Sequence, residues 1–204
     1  ADAPRGERGR HGARREARHR AVPGARAHRE RLGQPFQVSA GAFFQVNTGQ
    51  AAAMVEHLLE ILPTTPQTSL LDVYCGVGLF NAFFSGRVGQ VSGIELSEPA
   101  CRDFAVNLDE FENVALYQGA AEDVLPGLDF PVDVAIVDPP RAGLARPALD
   151  ALLQLAPPRL AYISCDPSPL ARDAKRLLAG GYQLVQATPF DLFPQTYHIE
   201  SISL

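Results

Sequence analysis

Residues 70–80, LLDVYCGVGLF, read as an apolar strand that runs straight into a glycine turn. In a doubly wound sheet such a turn lies at the carboxyl end of the strand, where ligands bind. Gly76 and Gly78 would let the backbone approach a ligand closely. The dinucleotide fingerprint G-x-G-x-x-G needs a third glycine, and Asn81 stands in its place. That argues against a pyrophosphate site.

Outward from this turn, strand and helix patterns alternate. Upstream, FQVSAGAFFQVN reads as strand and turn. TGQAAAMVEHLLEIL carries apolar residues at helical spacing, with Thr48 as the expected N-cap. Downstream come the strand QVSGIEL and a helix from PACRDFAVNLDEF with Pro99 in its first turn. The strands NVALYQG and VDVAIVDPP follow, then the helix PALDALLQLAP and the strand RLAYISC. A helix then begins near Ser168 and ends at Gly180 and Gly181. YQLVQATPFDLF and TYHIESISL close the chain as two strands with no helix between them. Alternation predicts an α/β fold with a seven-stranded, mostly parallel sheet, and the closing pair predicts one antiparallel strand near the C-terminus.

The 204 residues, 46% of them apolar, suffice for one domain with a sizeable core. Residues 33–204 are expected to form it, with no internal repeat and no second domain. Residues 1–32 hold ten arginines against four acids and few large apolar side chains, and read as a disordered tail. The remainder holds eight basic residues against nineteen acids, so bulk charge gives the folded part no nucleic-acid signature. No apolar run is long enough for a membrane span, and the first residues lack the apolar core of a secretory signal. Cys75, Cys101 and Cys165 form no C-x-x-C pair. Neither a disulfide framework nor a metal site is expected, and a cytoplasmic location fits.

Glu95 ends the second strand seventeen residues after Gly78, where a carboxylate can accept both ribose hydroxyls of a nucleoside. A nucleoside cofactor without a diphosphate points to S-adenosyl-L-methionine. Asp138, in DPPR (138–141), ends the fourth strand and faces the same crevice, where it could hold the cofactor's amino end or the imide edge of a base. Cys165, in YISCDP (162–167), ends the fifth strand. It could be a core thiol, a metal ligand or a nucleophile. Its place at a strand end favours the nucleophile, and the N-terminal field of the following helix is expected to favour thiolate. Cys75 and Cys101 read as core thiols. Glu200 lies inside the apolar closing strand, where burial would raise its pKa into the range of a general base. His198 shares its face and reads as structural.

Together these pieces resemble the S-adenosylmethionine-dependent RNA uracil-C5 methyltransferases, which make 5-methyluridine in ribosomal and transfer RNA. The resemblance runs from about Phe36 to Leu204. It rests on FFQVN (43–47), LDVYCGVGLF (71–80), GIELS (93–97), DPPRAGL (138–144), YISCDPSPLARD (162–173) and DLFPQTYHIES (191–201), all in the family's order. It implies a Rossmann-like class I methyltransferase fold and S-adenosylmethionine as cofactor. It further implies cofactor contacts from Gln45, Tyr74, Glu95 and Asp138, with Cys165 as nucleophile and Glu200 as base. The implied substrate is RNA, ribosomal in preference to transfer, bound by a monomer. Relatives often carry an acid or amide where this chain has Ala120, with Glu122 and Asp123 displaced. Many also carry an RNA-binding β-barrel and a central domain, sometimes with an iron–sulfur cluster, so the chain is expected to match the catalytic domain only. For phosphate contacts the folded part offers Arg141, Arg146, Arg172 and Arg176, beside the arginine-rich arm of residues 1–32.

Three other readings compete with this one. An amino-methyltransferase would place an aromatic residue where Arg141 stands. A truncated, non-catalytic cofactor- or RNA-binding module would keep the fold without turnover. A Rossmann-type oxidoreductase lacks its third glycine.

Overall fold

A computed structural model describes residues 33, 35–42, 47–192, 195 and 199–204. Gln45, His198 and the arginine-rich residues 1–32 lie outside the described residues. The elements run α1 (Thr48–Ile61), β1 (Ser69–Val73), α2 (Leu79–Phe84), β2 (Gln90–Glu95), α3 (Glu98–Asn107), β3 (Val114–Gln118) and α4 (Ala121–Val124). A 3-10 turn, Leu125–Gly127, leads to β4 (Val134–Val137), α5 (Arg146–Leu155), β5 (Arg159–Ser164), α6 (Pro167–Ala179), β6 (Ala187–Phe190) and β7 (Glu200–Ser203).

The strands form one seven-stranded sheet in the order β3-β2-β1-β4-β5-β7-β6. The pairs β1–β2, β1–β4, β2–β3 and β4–β5 are parallel. β7 runs antiparallel to both β5 and β6, so it is the one reversed strand that the closing pair predicted. Strand order reverses between β1 and β4, which opens a crevice at their carboxyl ends.

β1 shows why the sheet is buried on both faces. Leu70 packs with Phe80, Phe84 and Phe104 on one side; Leu71 and Val73 pack with Leu149, Leu152 and Tyr162 on the other. A strand covered on both faces reads as a continuous apolar run. Each fully buried side chain of this size contributes about 1.5–3 kcal/mol.

Helix ends follow capping chemistry, with one correction. Asn47, not Thr48, caps α1: its Oδ1 accepts the Gln50 N–H at 3.2 Å, and Thr48 is the first helical residue. The Asn47 Nδ2 also donates to the Leu192 carbonyl, tying the helix start to the chain before β7. Pro99 sits in the first turn of α3 as expected. Asp166 caps α6 by accepting the Ser168 N–H at 2.8 Å, and Gly180 and Gly181 end that helix.

Candidate active site

A cavity of about 760 Å³ opens at the crevice, within the usual size of a small-molecule site. One half is lined by the ends of β1, β2 and β3, through Tyr74, Gly76, Glu95, Leu96, Ala120 and Glu122. The other half is lined by Asp138, Arg141, Cys165 and Glu200, from the ends of β4 and β5 and the start of β7. The sheet thus brings together all but two of the residues expected at the site. Gln45 lies outside the described residues, and Gly78 faces elsewhere.

Glu95 anchors the first half. Its Oε2 accepts the Gly76 N–H at 2.9 Å and its Oε1 accepts the Ser97 N–H at 2.7 Å. Each oxygen keeps a second lone pair for a ligand hydroxyl. Gly76 has φ 56°, with nothing within 4 Å of the place a Cβ would occupy, so its bare face borders open space. Tyr74 also sits at positive φ, 69°, which is uncommon for a bulky residue and marks a constrained position. Burial, helped by Glu122 and Asp173, pushes its phenol up to about 12.

Gly78 differs from the expectation of direct ligand approach. It does not line the cavity. At φ 88° it caps α2, and a Cβ there would fall 2.5 Å from Leu108 Cδ1 and 2.8 Å from Phe104 Cδ2. Its glycine is required by packing against α3. Ala120 borders the cavity with Glu122 beside it, so an acid displaced in sequence still reaches the same wall.

In the second half, Glu200 is 6% exposed, and its Oε2 has no hydrogen-bond partner among the described residues. Burial pushes its carboxyl up, and Arg141 opposes the shift. Burial, then Glu200, pushes Asp138 up to about 8. The Cys165 thiol is half-buried and is also pushed up, first by burial and then by Glu200, against the pull of Arg141. The direction of this shift runs opposite to the thiolate expected from the α6 field. Cys75 and Cys101 are buried thiols, as expected.

The sequence did not single out several neighbours. Asp72 lies buried in mid-β1 with both carboxyl oxygens unpartnered among the described residues; burial, then Asp138 and Glu95, pushes it well up. Asp103 on α3 accepts bonds from Gln37 Nε2, Ser39 N and Ser39 Oγ. Asn107 donates to the Gln37 and Val77 carbonyls, so both residues strap segment 35–42, including cavity-lining Gly41, beside the glycine turn. Three of the four arginines considered for phosphate are engaged elsewhere. Arg146 and Arg176 pair with Asp150, and Arg172 pairs with Asp173; Arg141 lines the cavity. Among the described residues no helix is long and apolar enough to cross a membrane, and no cluster of side chains is suited to a metal ion.

Comparison with known proteins agrees with this layout. The model of the family described as tRNA (Uracil-5-)-methyltransferase matches residues 31–128 and 124–204. A protein of Thermosynechococcus vestitus described as an uncharacterized RNA methyltransferase is 43% identical over 178 residues, covering 86% of this chain and 40% of its own length. One of Chlorobaculum tepidum with the same description is 38% identical over 183 residues, covering 85% of this chain and 38% of its own. The chain therefore spans about two-fifths of the length of these relatives. Among solved structures, Pyrococcus abyssi tRNA (uracil-54, C5)-methyltransferase in complex with S-adenosyl-L-homocysteine superposes with a TM-score of 0.73 at 29% identity. It covers 83% of this chain and 41% of its own.

Proposed function

We propose that this chain, which belongs to the tRNA (uracil-5-)-methyltransferase family, transfers a methyl group from S-adenosylmethionine to C5 of a uridine in RNA. A covalent bond from Cys165 to C6 carries the reaction. One observation supports this above the rest: a half-buried thiol and a buried, partly unpartnered carboxylate share a cavity with a glycine-floored compartment built around Glu95.

The first half of the cavity fits the cofactor. The remaining Glu95 lone pairs suit the ribose hydroxyls, and the open face of Gly76 lets the ligand approach the backbone. Asp138 suits the amino end. Tyr74 and Leu96 border the same compartment. Bound S-adenosylmethionine supplies an electrophilic methyl group on a sulfonium.

C5 of uracil is a weak nucleophile, and the chain's residues overcome that. The Cys165 thiol loses its proton to solvent, and the thiolate adds to C6, which moves electron density onto C5 and O4. C5 then takes the methyl group. The Glu200 carboxylate accepts the proton from C5, the C6–S bond breaks back to the sulfur, and the ring double bond returns. A methyl group enters and a proton leaves. This is covalent catalysis by an activated thiol, and good alignment can lower such barriers by about 7–11 kcal/mol. The raised Glu200 carboxyl makes it a stronger base than an exposed glutamate.

Ribosomal RNA is the substrate class expected from the resemblance, and the Pyrococcus abyssi neighbour favours transfer RNA as a second reading. The test is release of tritium from RNA labelled at uracil C5, run on both classes. It is paired with trapping on RNA containing 5-fluorouridine, whose fluorine cannot leave as the proton does. Tritium release, with a stable adduct on Cys165 that Cys165→Ser abolishes, is the expected result. Cofactor binding without release from any RNA would sink the proposal in favour of the non-catalytic module.

A further inference from the structure

Arg141 lines the cavity with Cys165 and Glu200, yet it stands on an irregular loop between β4 and α5. A long side chain on a loose loop has much entropy to lose before it can hold one position. This loop is tightly held. The Gly143 N–H donates to the Pro140 carbonyl at 2.8 Å, closing the turn on itself. Gly143 has φ 77°, and a Cβ there would fall 2.6 Å from Asp173 Oδ2 and 2.7 Å from Arg172 Nη2. No side chain fits between the turn and α6.

The contact is polar and fully engaged. Asp173 is 1% exposed. Its Oδ2 accepts the Leu144 N–H at 2.8 Å and the Tyr162 hydroxyl at 2.7 Å. Its Oδ1 accepts Arg172 Nε at 2.8 Å. Arg172 Nη2 in turn donates to the carbonyls of Ala142 (3.0 Å) and Leu144 (3.2 Å). Three backbone groups of the turn therefore end on two adjacent α6 side chains. The same helix starts two residues after Cys165, and Tyr162 lies three residues before it on β5. One rigid unit thus fixes the thiol and the loop that faces it.

We propose that Arg172, Asp173 and Tyr162 are positioning residues, a clamp that holds the 140–144 turn so that Arg141 faces the Cys165 thiol and the Glu200 carboxylate. The inference rests on the reading of Cys165 as the nucleophile. The groups facing the thiol are Glu200 from β7, Asp138 from the end of β4 and Arg141 from the turn, with Glu95 and Glu122 farther along the cavity. Asp166 follows in the chain and caps α6. Of these, Arg141 carries the positive charge that opposes the carboxylates.

The test is the pH profile of Cys165 alkylation by iodoacetamide, read by peptide mass spectrometry. The thiolate displaces iodide, so the rate follows the thiolate fraction, and buried Cys75 and Cys101 are resolved from Cys165 by peptide. No cofactor or RNA is needed. Arg141→Ala should raise the midpoint by about one unit, the lower end of what a nearby opposite charge gives, which is about tenfold slower labelling below the midpoint. Arg172→Ala should raise it in the same direction by about half a unit, roughly a threefold slowing. Arg172→Lys should do likewise, because an ammonium cannot serve two carbonyls and Asp173 at once. Arg141→Ala/Arg172→Ala should match Arg141→Ala alone. Should Arg172→Ala fail to fold, Tyr162→Phe, which removes one donor and keeps the ring, is read against Arg141→Ala in the same way. An unmoved midpoint in the clamp variants, or shifts that simply add to that of Arg141→Ala, would overturn the clamp. A wild-type chain that labels as described yet releases no tritium would keep the clamp and lose the methyl-transfer reading.

Discussion

Binding of S-adenosylmethionine should expel a large fraction of one proton at pH 7, and that proton comes from Asp138. In the empty cavity burial, with Glu200 beside it, pushes the Asp138 carboxyl up to about 8. At pH 7 about nine-tenths of the molecules then hold the proton. An ammonium placed against the carboxylate typically lowers its pKa by about 1–3 units. A one-unit fall leaves about half of the molecules protonated and releases about 0.4 proton; a three-unit fall releases about 0.9. Release should peak between pH 6 and 8 and fade on either side, where the carboxyl is protonated or ionised in both states. Calorimetric titration in buffers of different ionisation enthalpy counts the protons directly. Asp138→Asn should abolish the release. Glu200→Gln removes the second cause of the shift, so fewer empty sites hold the proton and the release shrinks. A wild-type binding enthalpy independent of buffer at pH 7, or an unchanged count in Asp138→Asn, would refute the assignment of the amino end to Asp138.

Four further outcomes are expected. Gly78→Ala should cost about 2–4 kcal/mol, from a positive φ and the overlap with Leu108 and Phe104, seen as a fall of several degrees in Tm. Cys165→Ser should leave cofactor affinity within about twofold while abolishing tritium release and 5-fluorouridine trapping, because the thiol lies in the other half of the cavity. Asp103→Ala removes the shared acceptor of Gln37 and Ser39; a loss of about 2–4 kcal/mol and weaker cofactor binding through Gly41 should appear together in thermal melts and calorimetry. Asp72, Asp138 and Glu200 all have raised carboxyls, so the fold holds protons that the unfolded chain loses above about pH 4. Their contribution is full below that pH and is lost as pH rises toward about 8. Melts without ligand should show Tm falling across this window, with a flatter slope in Asp72→Asn.

The sheet was legible because its strands are short apolar runs and the residues that punctuate them sit at their carboxyl ends. Glu95, Asp138 and Cys165 each close such a run, so strand alternation alone placed them in one crevice. Glu200 opens β7, and only its reversal beside β5 brings it to the same end. What escaped was decided by packing. α2, LFNAFF, is apolar on nearly every side and has no amphipathic period to betray a helix. Gly78 looked like a ligand contact because the glycine pattern does not say whether a bare Cα faces a cofactor or a neighbouring helix. The partners of Arg146, Arg172 and Arg176 are four or fewer residues away or on the adjoining helix, and these contacts engage arginines that the sequence offers as candidates for phosphate.

The charge balance of the cavity ties these observations together. Asp72, Glu95, Glu122, Asp138 and Glu200 gather at or beneath one crevice, and Arg141 is the cation among the residues that line it. Such a site resists further negative charge, and burial and carboxyl groups push the Cys165 thiol up. S-adenosylmethionine brings a sulfonium, an ammonium and a carboxylate, one net positive charge, into that field. The sulfonium offsets Glu200, the larger carboxyl cause that holds the thiol up, and the ammonium pairs with the carboxylate it creates at Asp138, with Arg141 favouring thiolate. On the proposed function, thiol activation should then follow cofactor binding, so that a reactive sulfur is not exposed before there is a methyl group to transfer. The proton count on cofactor binding and the pH profile of Cys165 alkylation read this balance from its two ends, and both must shift in the stated directions for it to hold.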